Sequence, residues 1–115
     1  MIIRDTPRLS DTLLSCLGRH SPADAARECS RVRDKALRAD HAALAAAQDG
    51  DERTRVADLS DVFCDAERCY PVIGDFIAYR DAVHLHTAFA PTLTPLLDEA
   101  IQGAVTPPVR ELLFR

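Results

Sequence analysis

Asp81 and His84 stand three positions apart in the stretch YRDAVHLHTAF, residues 79–89. An aspartate and a histidine at this spacing are the residue types of a catalytic acid and base pair. Asp81 is close enough to His84 to accept a hydrogen bond from one ring nitrogen. That bond would fix the imidazole tautomer and leave the other nitrogen free to act as a general base. The structural alternative is that Asp81 caps a following helix and His84 is an ordinary exposed side chain, and residue types alone favour it because aspartate is a preferred N-cap.

Length and composition restrict the class of protein. The chain has 115 residues, 47% of them hydrophobic, and a net charge of −4 from 14 basic and 18 acidic residues. This predicts one small globular domain, and the acidic balance without a basic run argues against a nucleic-acid partner. We find no apolar run of the roughly 18 to 20 residues that a membrane span needs, and no signal peptide in the charged residues 1–10.

The four cysteines form two close pairs, Cys16 with Cys29 and Cys64 with Cys69. Such pairs are typical of disulfides that close loops in extracytoplasmic domains, but the spacing fits four reduced thiols equally well. A zinc site is a further alternative, with Cys64, Cys69, His84 and His86 as ligands. The short His-x-His spacing disfavours it, so the sequence predicts no metal and no cofactor.

The first half of the chain predicts a short strand and a long helix. Ile2 and Ile3 have the character of a buried strand before a turn at residues 5–7, and residues 8–20 are predicted as a loop around Cys16. Ser21 as N-cap and Pro22 at the first helical position predict a helix start. Apolar residues then continue at helical spacing, which predicts one helix to about Gln48.

The second half predicts a strand, a hairpin and a broken helix. Residues 54–63 read as a strand and turn, and a hairpin is expected with Val72–Ile73 as one strand and Phe76–Tyr79 as the other. A helical face runs from Leu85 to residue 101, interrupted by Pro91 and Pro95, with a second helix beginning at Thr94. This order predicts an α/β fold that amounts to half of a doubly wound domain in residues 1–102, with a tail at 103–115 that is a docking helix or a frayed end.

Several of these segments together resemble a known family. The matching segments are IRDTP at 3–7, Cys16, Cys29, DLSDVFC at 58–64 and CYPVIGDFIAYRDAVHL at 69–85. Over residues 2–101 they resemble the C-terminal half of the SGNH-type, GDSL-like domain attached to acyltransferase-3 family membrane proteins. The resemblance implies a flavodoxin-like three-layer fold, here an incomplete half-domain, on the extracytoplasmic face of the membrane. It also implies that both cysteine pairs form disulfides.

The resemblance gives Asp81 and His84 catalytic roles. In such domains the Asp-x-x-His element completes a triad with a serine from an N-terminal Gly-Asp-Ser block, so Asp81 would orient the ring and His84 would be the base. This sequence has five serines, none of them in that setting, and lacks the glycine and asparagine blocks that help form the oxyanion hole. It also departs from the family pattern at His86, where a small hydroxyl residue usually follows HL, and at Pro91.

The expected function is therefore that of a fragment, which alone would be inactive. The implied parent is an O-acyltransferase or esterase that transfers an acyl group from a donor to cell-surface glycans or glycolipids. Its expected partners are a membrane acyltransferase domain or a complementary N-terminal half. The alternatives are a non-catalytic interaction module that associates with itself, and one half of a split SGNH protein.

Overall fold

The computed structural model describes residues 1–49 and 54–102, and in them short strands alternate with short helices. The strands are β1 (Ile2–Ile3), β2 (Arg31–Val32), β3 (Val56–Ala57), β4 (Arg68–Cys69), β5 (Val72–Ile73) and β6 (Phe76–Ile77). The helices are α1 (Leu13–Arg19), α2 (Pro22–Glu28), α3 (Arg33–Ala36), α4 (His41–Gln48), α5 (Ser60–Phe63) and α6 (Thr94–Gln102), with a 3₁₀ helix at Ala90–Leu93. The predicted tail at 103–115 lies outside the described residues.

The strands of the described part form three two-stranded sheets. In the first, β1 and β3 run parallel, with Ile2 opposite Val56. In the second, β2 and β4 are antiparallel, with Arg31 opposite Cys69. The third is the hairpin of β5 and β6, where Gly74 at the turn has a φ of 60° that favours glycine. This mixture of helices and small sheets is compatible with the predicted α/β class.

The predicted helix start at Ser21 is confirmed, but the single long helix to Gln48 is wrong. The Ser21 hydroxyl accepts a hydrogen bond from the backbone N–H of Asp24, and Pro22 opens α2. The helix ends at Glu28 because the next residues leave it to pair as β2 with β4. Helical structure resumes in α3 and α4, and the second of these begins at a new cap on Asp40.

Two predictions near the N-terminus need correction. Residues 8–20 are not all loop, since α1 occupies Leu13–Arg19 and buries Leu13 against the core. The strand at Ile2–Ile3 is confirmed, but it is not buried. Ile3 is 54% exposed, because in the described part of the chain β1 has only β3 beside it.

The hairpin is confirmed, although its second strand ends at Ile77 and not at Tyr79. The expected helix from Leu85 is wrong at its start: Leu85 forms an isolated antiparallel bridge with Tyr79, and helical structure begins only at Ala90. The predicted second helix is confirmed, because α6 begins at Thr94.

Three aromatic rings form the centre of the core. The Phe63 ring meets Tyr79 edge-on at a centroid distance of 5.9 Å and lies 6.0 Å from the Phe89 ring. Each of the three residues is only 1% exposed, and Leu9 and Leu13 are among the other buried residues of the same core. Edge-to-face pairs of this kind add stabilisation to the burial of apolar area. The cluster fixes α5, the end of the hairpin and the segment before the 3₁₀ helix relative to one another.

Both expected disulfides are present. Cys16 of α1 is bonded to Cys29 at the end of α2, with 5.8 Å between the Cα atoms. Cys64, directly after α5, is bonded to Cys69 of β4, with 3.9 Å between the Cα atoms. Each bond joins two segments that lie close in the sequence and restricts the unfolded chain, which stabilises the fold.

We expect the double variant Cys16→Ser/Cys29→Ser to lose about 2 to 4 kcal/mol of unfolding free energy. The bond closes a loop over a sequence separation of 13, and breaking it restores conformational entropy to the unfolded chain. Urea unfolding followed by circular dichroism measures the loss. Titration of two or more free thiols in the native, unreduced protein would contradict the disulfide assignment.

Candidate functional site

A tight chain reversal at residues 79–86 carries the candidate acid and base. Two backbone hydrogen bonds join the two arms of the reversal. The Arg80 N–H donates to the His84 carbonyl at 2.8 Å, and the His86 N–H donates to the Ala78 carbonyl at 2.7 Å. Together with the Tyr79–Leu85 bridge, these bonds make a narrow antiparallel neck. The residues between the two arms of the neck therefore project as one ordered turn.

The Asp81 carboxylate organises this turn from inside. Its Oδ1 accepts hydrogen bonds from the backbone N–H of Val83 at 2.9 Å and of His84 at 2.7 Å. These are the bonds an N-cap aspartate makes, but no helix follows. Asp81 thus has the capping contacts of the structural alternative and also faces the histidine ring.

The predicted hydrogen bond between Asp81 and His84 is confirmed, although the pair lies in a turn and not at the start of a helix. Nδ1 of His84 lies 3.0 Å from Oδ1 and 2.9 Å from Oδ2 of Asp81. An ionised carboxylate can only accept, so Nδ1 carries the proton and donates it. In the neutral ring the lone pair is then on Nε2, which makes no hydrogen bond within residues 1–49 and 54–102.

Three donors lower the pKa of Asp81 from its ordinary 3.8 to about 2. The largest contribution is the N–H of Val83, followed by the N–H and the ring of His84. The His84 side chain is 61% exposed and that of Asp81 41%. The carboxylate is therefore ionised at neutral pH, and the ring it orients is open to a reacting group from outside.

The turn is anchored to the N-terminal segment. The Tyr79 hydroxyl donates to the Pro7 carbonyl at 2.6 Å, and the Leu9 N–H donates to the Ala82 carbonyl at 2.8 Å. Burial raises the pKa of Tyr79, so its hydroxyl stays protonated as a donor. Sequence reasoning missed these contacts because their partners lie some seventy positions apart in the chain.

His86, the departure from the family pattern, has a local role. Its Nδ1 accepts a hydrogen bond from the Ala88 N–H at 3.1 Å, which turns the chain toward the 3₁₀ helix. One ring nitrogen is therefore committed to the backbone. His86 does not replace His84 as the base oriented by Asp81.

None of the five serines, all of which lie among the described residues, makes a hydrogen bond to His84. Their hydroxyls are committed elsewhere, to Thr12 (Ser10), Arg19 (Ser15), the N–H of Asp24 (Ser21), Arg27 and Arg68 (Ser30), and Asp58 (Ser60). The pKa of the Asp58 carboxyl is lowered overall. Burial by itself raises this pKa, but the hydrogen bonds from the Ser60 hydroxyl, the Ser60 N–H and Arg4 lower it by more. A nucleophilic serine facing His84 is therefore not among these five.

The sulfur atoms considered as zinc ligands are held in disulfides. Cys64 and Cys69 are bonded to each other, and so are Cys16 and Cys29, which lie close to His20. Zinc binds the thiolate form of cysteine. With the disulfides intact, neither cysteine pair can provide thiolate ligands for a zinc ion.

A model of the family described as SGNH domain, fused to AT3 domains, matches residues 1–99. No curated protein and no solved structure matches the chain. None of the helices in the described residues has the length and apolar character needed to cross a membrane. The matched range includes the turn and both of its anchors.

We expect Asp81 to titrate near pH 2 in the folded protein. Because the folded pKa is below the unfolded value, the stability it contributes is complete above about pH 4 and is lost as the pH falls toward 2. In His84→Ala the pKa of Asp81 should rise yet stay below 3.8, since two backbone donors remain. Carboxyl ¹³C NMR measures both values.

The matched control is His86→Ala, which removes a neighbouring histidine that does not contact Asp81. It should leave the Asp81 titration unchanged. An Asp81 carboxyl that titrates at its ordinary value in the wild-type protein would contradict the three-donor geometry.

Proposed function

Because the chain belongs to the family of SGNH domains fused to AT3 domains, we propose that it supplies the acid and base of a serine-dependent acyltransferase or esterase. The observation that carries this proposal is the orientation of His84. Asp81 holds the proton on Nδ1, and Nε2 has no partner among the described residues and is exposed. That is the arrangement a histidine needs to take a proton from a serine hydroxyl.

In this proposal Nε2 of His84 removes the proton of the nucleophile as the hydroxyl oxygen attacks the acyl carbonyl. The ring becomes an imidazolium, which the ionised Asp81 stabilises without itself taking the proton. His84 then returns the proton to the leaving group. In the second half of the reaction it activates the acceptor hydroxyl, or a water molecule, in the same way.

The nucleophile and the oxyanion donors would come from sequence outside these 115 residues. None of the five serines makes a hydrogen bond to His84, so we assign the nucleophile to a Gly-Asp-Ser block of the kind found in the N-terminal half of such domains. Asp81 and His84 then form two of the three members of the triad. By itself the chain has the base but lacks the groups that stabilise a tetrahedral intermediate.

The wider setting follows from the family and is supported by the disulfides. We propose that the complete domain has a flavodoxin-like three-layer fold and acts at the extracytoplasmic face, with an acyltransferase-3 membrane domain as its partner. It would pass an acyl group to a cell-surface glycan or glycolipid. Two disulfides in so short a chain fit an oxidising compartment.

The parallel sheet of β1 and β3 supports an association with a complementary half. Ile3 of β1 is 54% exposed, and Met1, directly before the strand, is 50% exposed. A two-stranded parallel sheet is unusual without further strands, and an uncovered strand edge pairs readily with another chain. Residues 1–102 would then be the C-terminal part of one domain. The same surface favours the second candidate, a non-catalytic module that associates with itself.

The direct test is to fuse the N-terminal half of an active SGNH domain, with its Gly-Asp-Ser block, to this chain. We expect the chain alone to show no saturable hydrolysis of 4-nitrophenyl acetate beyond that of free imidazole, and the fusion to gain it. His84→Ala in the fusion should lower kcat by about 10⁴ to 10⁶, because triad members act together.

His86→Ala serves as the matched control and should retain the activity of the fusion. A serine-directed phosphonate should block turnover in the fusion by labelling the added serine. Saturable turnover by the chain alone that His84→Ala abolishes and the phosphonate blocks would instead show that one of its own five serines is the nucleophile.

A further inference from the structure

Two adjoining clefts lie along the N-terminal segment, and the first of them reaches the turn that carries Asp81 and His84. It has a volume of about 440 Å³ and is lined by Asp5, Thr6, Arg8, residues 36–41 and Val83. The other, of about 360 Å³, is lined by Arg8, Ser10, Asp11, Arg31 and Arg38. Arg8 and Arg38 line both, so the two clefts adjoin at these side chains, and each has the volume of a small-ligand site.

The second cleft concentrates positive charge in a chain whose net charge is −4. Three of its five lining residues are arginines, against a single acid, Asp11, which contacts Arg8 at 3.4 Å. Arg38 is exposed and makes no hydrogen bond or ion pair with any described residue. The cleft therefore carries uncompensated charge that would attract an anion.

Arg31 is held in place by the backbone and not by an acid. Its guanidinium donates to the Arg8 carbonyl at 3.0 Å and to the Leu9 carbonyl at 3.4 Å. These bonds fix the group without neutralising it, since carbonyl oxygens carry no formal charge. The remaining N–H groups of a fixed guanidinium suit a carboxylate or phosphate, which arginine binds through two parallel hydrogen bonds.

Two acids, Asp5 and Asp40, line the first cleft and do not line the second. Asp40 uses its oxygens to accept from the N–H groups of Asp5 and Ala43 at 3.0 Å each, and the Ala43 bond is the largest cause of its lowered pKa. Over both clefts three arginines stand against three acids, whereas the second cleft by itself has three arginines and one acid. An anionic group would therefore settle at the end lined by the three arginines.

The first cleft is connected to the turn by short contacts. The Leu9 N–H, one residue from Arg8, donates to the Ala82 carbonyl of the turn. Val83, which lies between Ala82 and His84, lines the first cleft together with Arg8 and Arg38. The cleft that adjoins the arginine-rich one is therefore in contact with the turn that carries His84.

We propose that Arg8, Arg31 and Arg38 bind the anionic group, a carboxylate or a phosphate, of the sugar that accepts the acyl group. The binding of the anion stands on the cleft itself, while its role as an acceptor subsite rests on the proposed acyl-transfer function. The polar, arginine-rich lining suits a hydroxylated, charged sugar and gives little apolar surface for an uncharged acyl chain. The site would select acidic over neutral glycans.

NMR titration of the ¹⁵N-labelled full chain tests the proposal, with glucuronate, glucose 6-phosphate, inorganic phosphate and uncharged glucose as separate ligands. Glucuronate or glucose 6-phosphate should shift the Arg31 and Arg38 side-chain signals, and glucose should not. Arg38→Gln should weaken the binding by at least about tenfold, because it removes a charged hydrogen-bond donor. Arg27→Gln, the loss of another exposed arginine whose side chain has no partner in residues 1–49 and 54–102, should have no effect.

Shifts with glucuronate assign the site to sugar carboxylates, and shifts confined to the phosphate ligands assign it to phosphorylated sugars. Absence of shifts with all three anions, or equal weakening by Arg38→Gln and Arg27→Gln, would overturn the proposal. Arg31→Gln should also weaken binding, and its spectrum reports whether the fold is retained. Because His84→Ala should leave anion binding intact, failure of this site and failure of the proposed catalytic role are measured separately.

Discussion

The buried hydrogen bond from the Tyr79 hydroxyl to the Pro7 carbonyl connects segments 72 positions apart, and the candidate site depends on it. Tyr79 is 1% exposed and packs edge-on against Phe63, so neither partner of the bond can turn to water instead. Leaving a buried polar group unpaired costs about 1 to 3 kcal/mol. This single contact therefore positions both the neck of the turn and the segment that carries Arg8.

The geometry of the acid and base is local once the neck is fixed. The backbone N–H groups of Val83 and His84 hold the Asp81 carboxylate, and the carboxylate holds the His84 ring. No other segment contributes a hydrogen bond to the pair within the described residues. This explains how a chain can present an ordered acid and base although its own serines all lie elsewhere. The capping and catalytic roles considered for Asp81 are compatible, because one carboxylate makes the capping bonds and also the bond to the His84 ring.

Features encoded by neighbouring residues were predictable from the sequence. The Ser21–Pro22 helix start, the hairpin around Gly74 and the helix start at Thr94 each follow from local turn and capping chemistry. The hydrogen bond between Asp81 and His84 is also local, but it was expected from the family resemblance, since residue types alone favoured the structural alternative. In each case the atoms that make the contact lie within a few positions of one another.

Features set by distant pairing were not predictable in the same way. Apolar spacing continued through Val32, yet that residue leaves the helix to pair with Arg68 in β4. Leu85 has helical neighbours in the sequence but bridges to Tyr79. The helix α1 was missed because Cys16 and Gly18 suggested a loop, whereas burial of Leu13 and the bond to Cys29 favour a helix. The arginine cleft combines residues from separate segments and gave no local signal.

The most direct test of the account is the protonation of the His84 ring, read from ¹⁵N and ¹H NMR of the imidazole at a pH where the ring is neutral. The account predicts that Nδ1 carries the proton and Nε2 is bare, and that Asp81→Ala abolishes this preference while His86→Ala preserves it. A neutral His84 protonated on Nε2 in the wild-type protein, or a tautomer unaffected by Asp81→Ala, would contradict the claim that Asp81 prepares His84 as a base.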